Sequence, residues 1–359
     1  MNKKIIFTAG GTGGHIFPAI NLMKHFSQKN IEVLLVTDNR GKNFIKNSSK
    51  FKSYILSAGT FTNKNFFNKI FSFFIIFYSI IKSLIILKKE KPNLIFGFGG
   101  YVSFPISFVS RFFKIPLIIY ENNVILGRTN KYLLSVAKKI FVANMESKNF
   151  PTKYKHKVCE IGSILDKSII NNLTLKKNDA DNSFSILVLG GSQGAEIFGK
   201  TIPPVIKMIV NKGYKIKIIQ QCIGDQKKSI VNYYLKNNID NYVFSFDENI
   251  FQLMLSSNLA ITRCGASAIA ELAQTLTPFI AVPLPNSIDN HQYLNAKYYE
   301  KKGCCWILTQ DNFNNENLFN LIIEKIEKKN KLRSAQENMK KNFIKEVYTN
   351  IDKQIVEFI

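Results

Sequence analysis

Short apolar runs separated by stretches of helical period recur along almost the whole chain. In the first half they are Ile5–Phe7, Val33–Val36, Leu94–Phe96, Leu117–Tyr120 and Ile140–Ala143. After an interruption they resume as Ile186–Leu189, Ile216–Ile219, Tyr242–Phe246, Leu259–Thr262 and Phe279–Val282. Continuous apolar runs mark strands buried on both faces, and their alternation with helical stretches predicts parallel sheets covered by helices on either side. The interruption, about Asn171 to Asn182, is rich in Asn, Lys and Asp and reads as a loop near a domain boundary. A chain of 359 residues is long for one core. The expectation is therefore two doubly wound α/β domains of similar architecture, followed from Glu316 by a polar helical tail whose last turns pack back on the first domain.

Glycines stand where two of these runs end. Thr8-Ala9-Gly10-Gly11-Thr12-Gly13-Gly14-His15 follows the first strand, ahead of a helical stretch expected to start at Pro18, and Gly190-Gly191-Ser192-Gln193-Gly194-Ala195 follows Ile186–Leu189. A turn without side chains lets backbone N–H groups close on an anion, and the positive end of the helix behind it favours phosphate. A tight strand-to-helix turn with no ligand is the plain alternative for either one alone; the repetition argues for a ligand. A third turn, Gly97-Phe98-Gly99-Gly100-Tyr101-Val102-Ser103, follows Leu94–Phe96, and Glu121-Asn122-Asn123 closes Leu117–Tyr120. Ligands of doubly wound sheets lie at these carboxyl ends of the strands.

The segment Phe66–Leu87 is the most apolar of the chain, but Lys69 and Lys82 leave too short an uncharged interval for a membrane span. It reads either as a core helix or as one lying in a bilayer interface, which the flanking Lys88, Lys89 and Lys91 favour on anionic lipid. One face can do each job.

Composition narrows the partners. With 46% hydrophobic and 21% charged residues the chain is globular, and its net charge of +24 points to an anionic partner unless it reflects a Lys- and Asn-rich coding bias. Five cysteines without metal or disulfide spacing read as thiols of a reducing compartment, and the short apolar start does not make a secretory signal; the expected location is cytoplasmic. No His, Cys or carboxylate spacing suggests a metal, and no cofactor is called for.

Candidate chemistry gathers at the strand ends. His15 stands at the mouth of the first turn, where its near-neutral titration suits a general base, or where it simply caps the helix. Arg263-Cys264-Gly265-Ala266-Ser267 runs into a helix carrying Glu271, placed either to accept sugar hydroxyls or to face solvent; Asp289-Asn290-His291-Gln292 forms another polar strand-end loop.

Taken together, Gly10 to His15 with Pro18, Gly99 to Ser103, Glu121-Asn122-Asn123, Thr129-Asn130-Lys131, Gly190 to Ala195, and Arg263 to Ala266 with Glu271 resemble the ordered motifs of the MurG family. That family comprises the peptidoglycan N-acetylglucosaminyltransferases that convert lipid I to lipid II. The resemblance covers about residue 4 to at least Gly303.

The resemblance implies a GT-B fold of two Rossmann-like domains facing across a cleft, residues 1–162 plus 343–359 for the acceptor and membrane, and 163–342 for UDP-N-acetylglucosamine. It further implies donor contacts at Thr12, Gly13, Gly14, Asn123, Ser192, Glu271 and Gln292. Gly100, Tyr101 and Asn130 fall on the acceptor side, and His15 and Glu121 at the reacting centre. The implied partners are UDP-N-acetylglucosamine, the polyprenyl-pyrophosphate acceptor lipid I, an anionic membrane surface at the inner face of the plasma membrane, and cell-wall synthesis proteins, with no nucleic acid.

Some positions depart from the family pattern. Its Asn-Pro-x-Arg after the linker glycine is Ser163-Ile164-Leu165-Asp166 here, the His before the Glu121 position is Tyr120, and one of its paired glutamines is His291. Three rivals are a transferase of the same fold using another sugar nucleotide or lipid, a basic nucleic-acid-binding protein, and a dehydrogenase. The second lacks a basic-aromatic motif, and the third lacks a clean dinucleotide fingerprint beyond the ambiguous Asp38.

Overall fold

The computed structural model describes residues 3–45, 51–57, 59, 66–146, 149–171, 183–191, 195–222, 224–342 and 346–359. The chain divides into two compact units, residues 1–166 with 344–359, and residues 167–343.

Unit 1 begins with β1 (Lys4–Thr8), α1 (Gly13–Ser27), β2 (Glu32–Thr37), α2 (Asn39–Ile45) and β3 (Lys52–Ile55). It continues with α3 (Phe66–Glu90), β4 (Leu94–Gly97), α4 (Ser103–Val109), β5 (Leu117–Glu121), α5 (Arg128–Leu133), β6 (Lys139–Val142) and β7 (Val158–Glu160). Unit 2 contains α6 (Lys167–Asn171), β8 (Phe184–Leu189), α7 (Glu196–Asn211), β9 (Ile216–Gln221), α8 (Gln226–Lys236), β10 (Asp240–Phe244) and α9 (Ile250–Ser256). There follow β11 (Leu259–Thr262), α10 (Ala266–Gln274), β12 (Phe279–Ala281), α11 (His291–Lys301), β13 (Cys305–Ile307), α12 (Asn315–Glu327) and α13 (Lys329–Lys341). The chain then returns to unit 1 as α14 (Val347–Ile355).

The sheet of unit 1 has the order β3-β2-β1-β4-β5-β6-β7 and that of unit 2 the order β10-β9-β8-β11-β12-β13, every pairing parallel. All ten apolar runs of the sequence form strands. The three strands without such a run, β3, β7 and β13, lie at sheet edges. An edge strand is short and half exposed, so it needs no continuous apolar run.

The strand order reverses between β1 and β4 in unit 1 and between β8 and β11 in unit 2. At such a switch point the connections diverge to opposite faces and leave a crevice beyond the strand ends. Register fixes which loops share it: Thr8 lies beside Gly97, and Leu189 beside Thr262. The glycine-rich turns after β1 and β4 therefore meet in one unit, and Gly191 after β8 lies beside Arg263 after β11 in the other. Phe7, Phe96, Phe98 and Phe141 pack ring to ring on one face of the unit 1 sheet and make this end rigid.

The terminal helix is held to α1 and its neighbours. The Tyr348 hydroxyl donates to the Leu165 carbonyl at 2.5 Å, His25 Nε2 lies 2.8 Å from Asp352 Oδ1, and Lys139 Nζ donates to the Gln354 carbonyl at 2.8 Å.

Candidate active site

In unit 1 the helix starts earlier than Pro18. Thr12, with extended backbone, is the N-cap of α1, and its carbonyl accepts the N–H groups of His15 and Ile16 at 3.1 and 3.3 Å. Gly13 and Gly14 thus belong to the first turn, at the positive end of a helix with no acidic residue there. The glycines also let two loops touch. A Cβ on Gly100, whose φ is +79°, would fall 2.7 Å from the Gly10 carbonyl oxygen, and one on Gly10 would fall 2.2 Å from Val102 Cγ1.

His15, in this first turn, has its Nδ1 3.2 Å from the Gly10 carbonyl oxygen. A carbonyl can only accept, so Nδ1 carries the proton of the neutral ring and Nε2 is its basic nitrogen. Nε2 passes 3.2 Å from where a Cβ on Gly99 would be, with Asn130 Nδ2 3.7 Å from the same point. Both side chains therefore depend on the bare backbone of Gly99. Tyr101 opens the next turn, where the Ser103 N–H and hydroxyl close on the Gly100 carbonyl at 3.0 and 2.8 Å.

Glu121, the last residue of β5, is 3% exposed and wholly engaged with its own loop. Its Oε1 accepts from the N–H and Nδ2 of Asn123, both at 3.1 Å, and its Oε2 from the Gly127 N–H at 2.8 Å and Asn130 Nδ2 at 2.9 Å. Four donors saturate the acceptor capacity of a carboxylate. This placement makes Glu121 the brace of the 121–130 loop. Asn130 also donates to the Tyr120 carbonyl at 3.1 Å, and its buried Oδ1 has no hydrogen-bond partner.

Tyr120, where the family pattern has a histidine, is buried. Its buried hydroxyl lies 2.9 Å from Asn122 Oδ1 and 3.2 Å from the Gly162 carbonyl, and accepts the Ile164 N–H at 3.2 Å; burial pushes its ionisation well up. Nearby Asp166 pairs with Lys24 at 3.2 Å. The departures at Tyr120 and at 163–166 are thus joined by hydrogen bonds. Sequence reading could not find that pairing because the two segments are far apart in the chain.

Asp38, the remaining feature that could suggest a dinucleotide site, accepts the N–H groups of Gly41 at 2.7 Å and Gly11 at 3.4 Å and pairs with Arg40 at 3.1 Å. It shapes the glycine turn instead of facing a ribose.

In unit 2, β8 leads into Gly190 and Gly191, the latter with φ +77°. Ser192 lies outside the described residues. Gln292, in the first turn of α11, accepts the N–H groups of Cys264 at 3.1 Å and Leu284 at 3.0 Å through its single Oε1. The amide is thereby turned so that Nε2 is the end left to address a ligand. Asn295 Nδ2 holds the Cys264 carbonyl at 3.2 Å, and Glu271 lies half-buried on α10. Arg263, quoted above only as part of a motif, is 8% exposed and donates to the Val282 and Pro283 carbonyls and to Gln310 Oε1.

The surface of α3 is the other finding. Phe73, Phe74, Phe77, Tyr78, Ile81, Leu84 and Ile85 are exposed, whereas Ser72, Ser79 and Ser83 are buried. The helix thus shows an apolar face to solvent, while on its inner side, beside buried Ile86 and Leu87, the Ser79 hydroxyl donates to the Ser57 carbonyl and that of Ser83 to the Ser79 carbonyl, at 2.8 and 2.6 Å. Lys82 lies 4.6 Å over the Tyr78 ring. Among the described residues no helix is long and apolar enough to cross a membrane.

Residues 5–142 match the glycosyltransferase family 28 N-terminal domain and residues 185–355 the family 28 C-terminal domain. The chain is 35% identical over its full length, and 99% of the relative, to a UDP-N-acetylglucosamine–N-acetylmuramyl-(pentapeptide) pyrophosphoryl-undecaprenol N-acetylglucosamine transferase of Pelagibacter ubique. It is 37% identical to the protein so named in Rickettsia canadensis, with 94% of the chain and 95% of the relative covered. The crystal structure of Acinetobacter baumannii MurG superposes with a TM-score of 0.77 at 24% identity, covering 99% of each chain, and has the same GT-B architecture. The chain belongs to glycosyltransferase family 28 and, within it, to the MurG family.

Proposed function

We propose that the chain transfers N-acetylglucosamine from UDP-N-acetylglucosamine to the 4-hydroxyl of the muramoyl sugar of lipid I, forming lipid II for peptidoglycan synthesis. The full-length relation to enzymes carrying that name supports the reaction. The observation that ties it to this chain is His15, whose tautomer is set by Gly10 so that a basic nitrogen stands at the switch point of unit 1.

The reaction is a single inverting displacement. The acceptor oxygen bonds to the anomeric carbon as the bond from that carbon to the donor phosphate breaks; the hydroxyl proton passes to His15 Nε2, and UDP departs with the bonding electron pair. The acceptor belongs to unit 1, with Gly100, Tyr101 and Asn130 on its side and Thr12, Gly13, Gly14 and Asn123 toward the donor. Glu121 positions Asn123 and Asn130 rather than taking the proton. In unit 2, Ser192 and the turn from Gly190 receive the diphosphate. Glu271 takes the ribose hydroxyls, and Gln292 donates through Nε2 to the sugar. Preorganised N–H groups at the starts of α7 and α10 stabilise the charge that grows on the leaving group.

Unit 1 carries 27 lysines and arginines against 10 aspartates and glutamates, most of the chain's excess of +24. Together with the exposed aromatic face of α3, this supports a peripheral position on the anionic cytoplasmic face of the plasma membrane, where the lipid acceptor resides. The test is an assay of the full chain with a lipid I analogue. UDP-N-acetylglucosamine is expected to give a β-linked disaccharide, and a preference for UDP-glucose would overturn the reading.

A further inference from the structure

Arg263 follows β11 directly, and its N–H bonds the last carbonyl of β8, that of Leu189, at 3.2 Å, so it stands at the switch point of unit 2. Its Nη1 donates to the carbonyls of Val282 and Pro283, each at 3.2 Å, and its Nη2 to Gln310 Oε1 at 2.6 Å. The guanidinium lies 5.1 Å over the ring of Phe198, in the first turn of α7, and Nε–H has no acceptor. Every partner is neutral: among the described residues no carboxylate pairs with this cation, although the residue is only 8% exposed. Burial pushes the guanidinium's ionisation down, against its charged form.

A buried charge is costly unless it is compensated, and proteins as a rule pair it. This one is held without a counter-ion beside a glycine: Arg263 Cβ is 3.9 Å from where a Cβ on Gly191 would be.

We propose that Arg263 is the counter-charge for the donor's diphosphate, neutralising it on binding and more strongly as UDP leaves. The inference rests on the reading of unit 2 as the donor unit. The diphosphate is the part of the donor that carries charge, and it gains charge when the sugar departs. A guanidinium already desolvated and fixed by three hydrogen bonds interacts with it at low effective dielectric and needs no reorganisation.

The test is calorimetric titration of the full chain with UDP and with uridine. Wild type is expected to bind UDP at least about tenfold more tightly than uridine. Arg263→Met should lose about tenfold or more for UDP while its uridine affinity stays within about twofold. Arg263→Lys keeps the charge and surrenders part of the fork, and should retain UDP affinity within about threefold; it decides the matter if the Met protein does not fold. Parallel losses for UDP and uridine in either variant would make Arg263 a mere brace of the strand ends and overturn the proposal, as would unchanged UDP affinity in Arg263→Met. A wild-type chain with no preference for UDP over uridine would instead overturn the donor-diphosphate reading of unit 2 itself.

Discussion

His15 donates from Nδ1 to the carbonyl of Gly10, five residues earlier and 3.2 Å away. The bond fixes the tautomer and holds the ring in the first turn of α1, so that Nε2 can act as a base. His15→Ala is expected to lower kcat by roughly 100-fold or more with the fold intact. The sign of the pH dependence follows: a base works deprotonated, so wild-type activity is expected to rise with pH until the base has lost its proton and then to level. The Ala protein should lack that rise, and steady-state rates from pH 5 to 9 check it.

Glu121 gives a contrasting expectation. In Glu121→Gln one end of the side chain becomes a donor facing two donors, either those of Asn123 or those of Gly127 and Asn130. The loop should loosen at a cost of about 1–3 kcal/mol, with KM raised several-fold. The acidic limb of the pH profile should survive, because His15 is untouched. Its disappearance would return the role of base to Glu121.

These two residues also show what was legible in the sequence. The central strands could be read directly, since burial on both faces forces continuous apolar runs, and the turns were visible because φ above zero and close loop contact require glycine, as at Gly99 and Gly100. Edge strands such as β3 were hidden because half exposure relaxes that demand. At the site, residue types pointed to Glu121, but its role depends on donors from Asn123, Gly127 and Asn130, a count that only geometry provides. Tyr120 and Ile164 are bonded across 44 positions, and no local pattern announces such a pair. The start of α1 was misplaced because Pro18 suggested a first turn, whereas Thr12 already caps the helix.

Gln292 offers a test of donor-sugar recognition. Gln292→Glu keeps an oxygen for the N–H groups of Cys264 and Leu284, so the local fold should hold. It removes the Nε2 donor and brings a negative charge. KM for UDP-N-acetylglucosamine should rise about tenfold or more, the loss of one hydrogen bond and the addition of repulsion, while affinity for UDP alone stays within about threefold. A parallel loss for UDP would move Gln292 away from the sugar.

The exposed face of α3 leads to a prediction about lipid. Phe73, Phe74 and Phe77 are each more than half exposed, so replacing all three with Ser removes apolar surface that the fold does not bury. Binding to vesicles containing anionic phospholipid should weaken by roughly tenfold or more, with the melting temperature unchanged. Sedimentation with vesicles and a thermal melt separate the outcomes; unfolding would identify the face as core, and undiminished binding would place the lipid contact elsewhere.

The opposite end of α3 is anchored by charge, and its pH dependence can be worked out. Glu90, buried at the helix C-terminus, meets Lys52 at 2.6 Å, Lys4 at 3.0 Å and the Tyr54 hydroxyl, so one carboxylate joins the helix to β1 and β3. Burial opposes its ionisation, but the three partners outweigh burial and bring its pKa down to about 2. A carboxylate with a depressed folded-state pKa contributes stability that is complete above its unfolded value, near 4.5, and fades as pH falls toward about 2. The shift corresponds to at most about 3 kcal/mol, reduced to about 1–2 kcal/mol because Lys52 is half exposed. Glu90→Gln should therefore be less stable than wild type by that amount at pH 7, and the gap should narrow between pH 4.5 and 2.5. Urea denaturation across this range measures it. A gap independent of pH would mean that hydrogen bonding to Tyr54, rather than the paired charges, fastens the helix that carries the aromatic face.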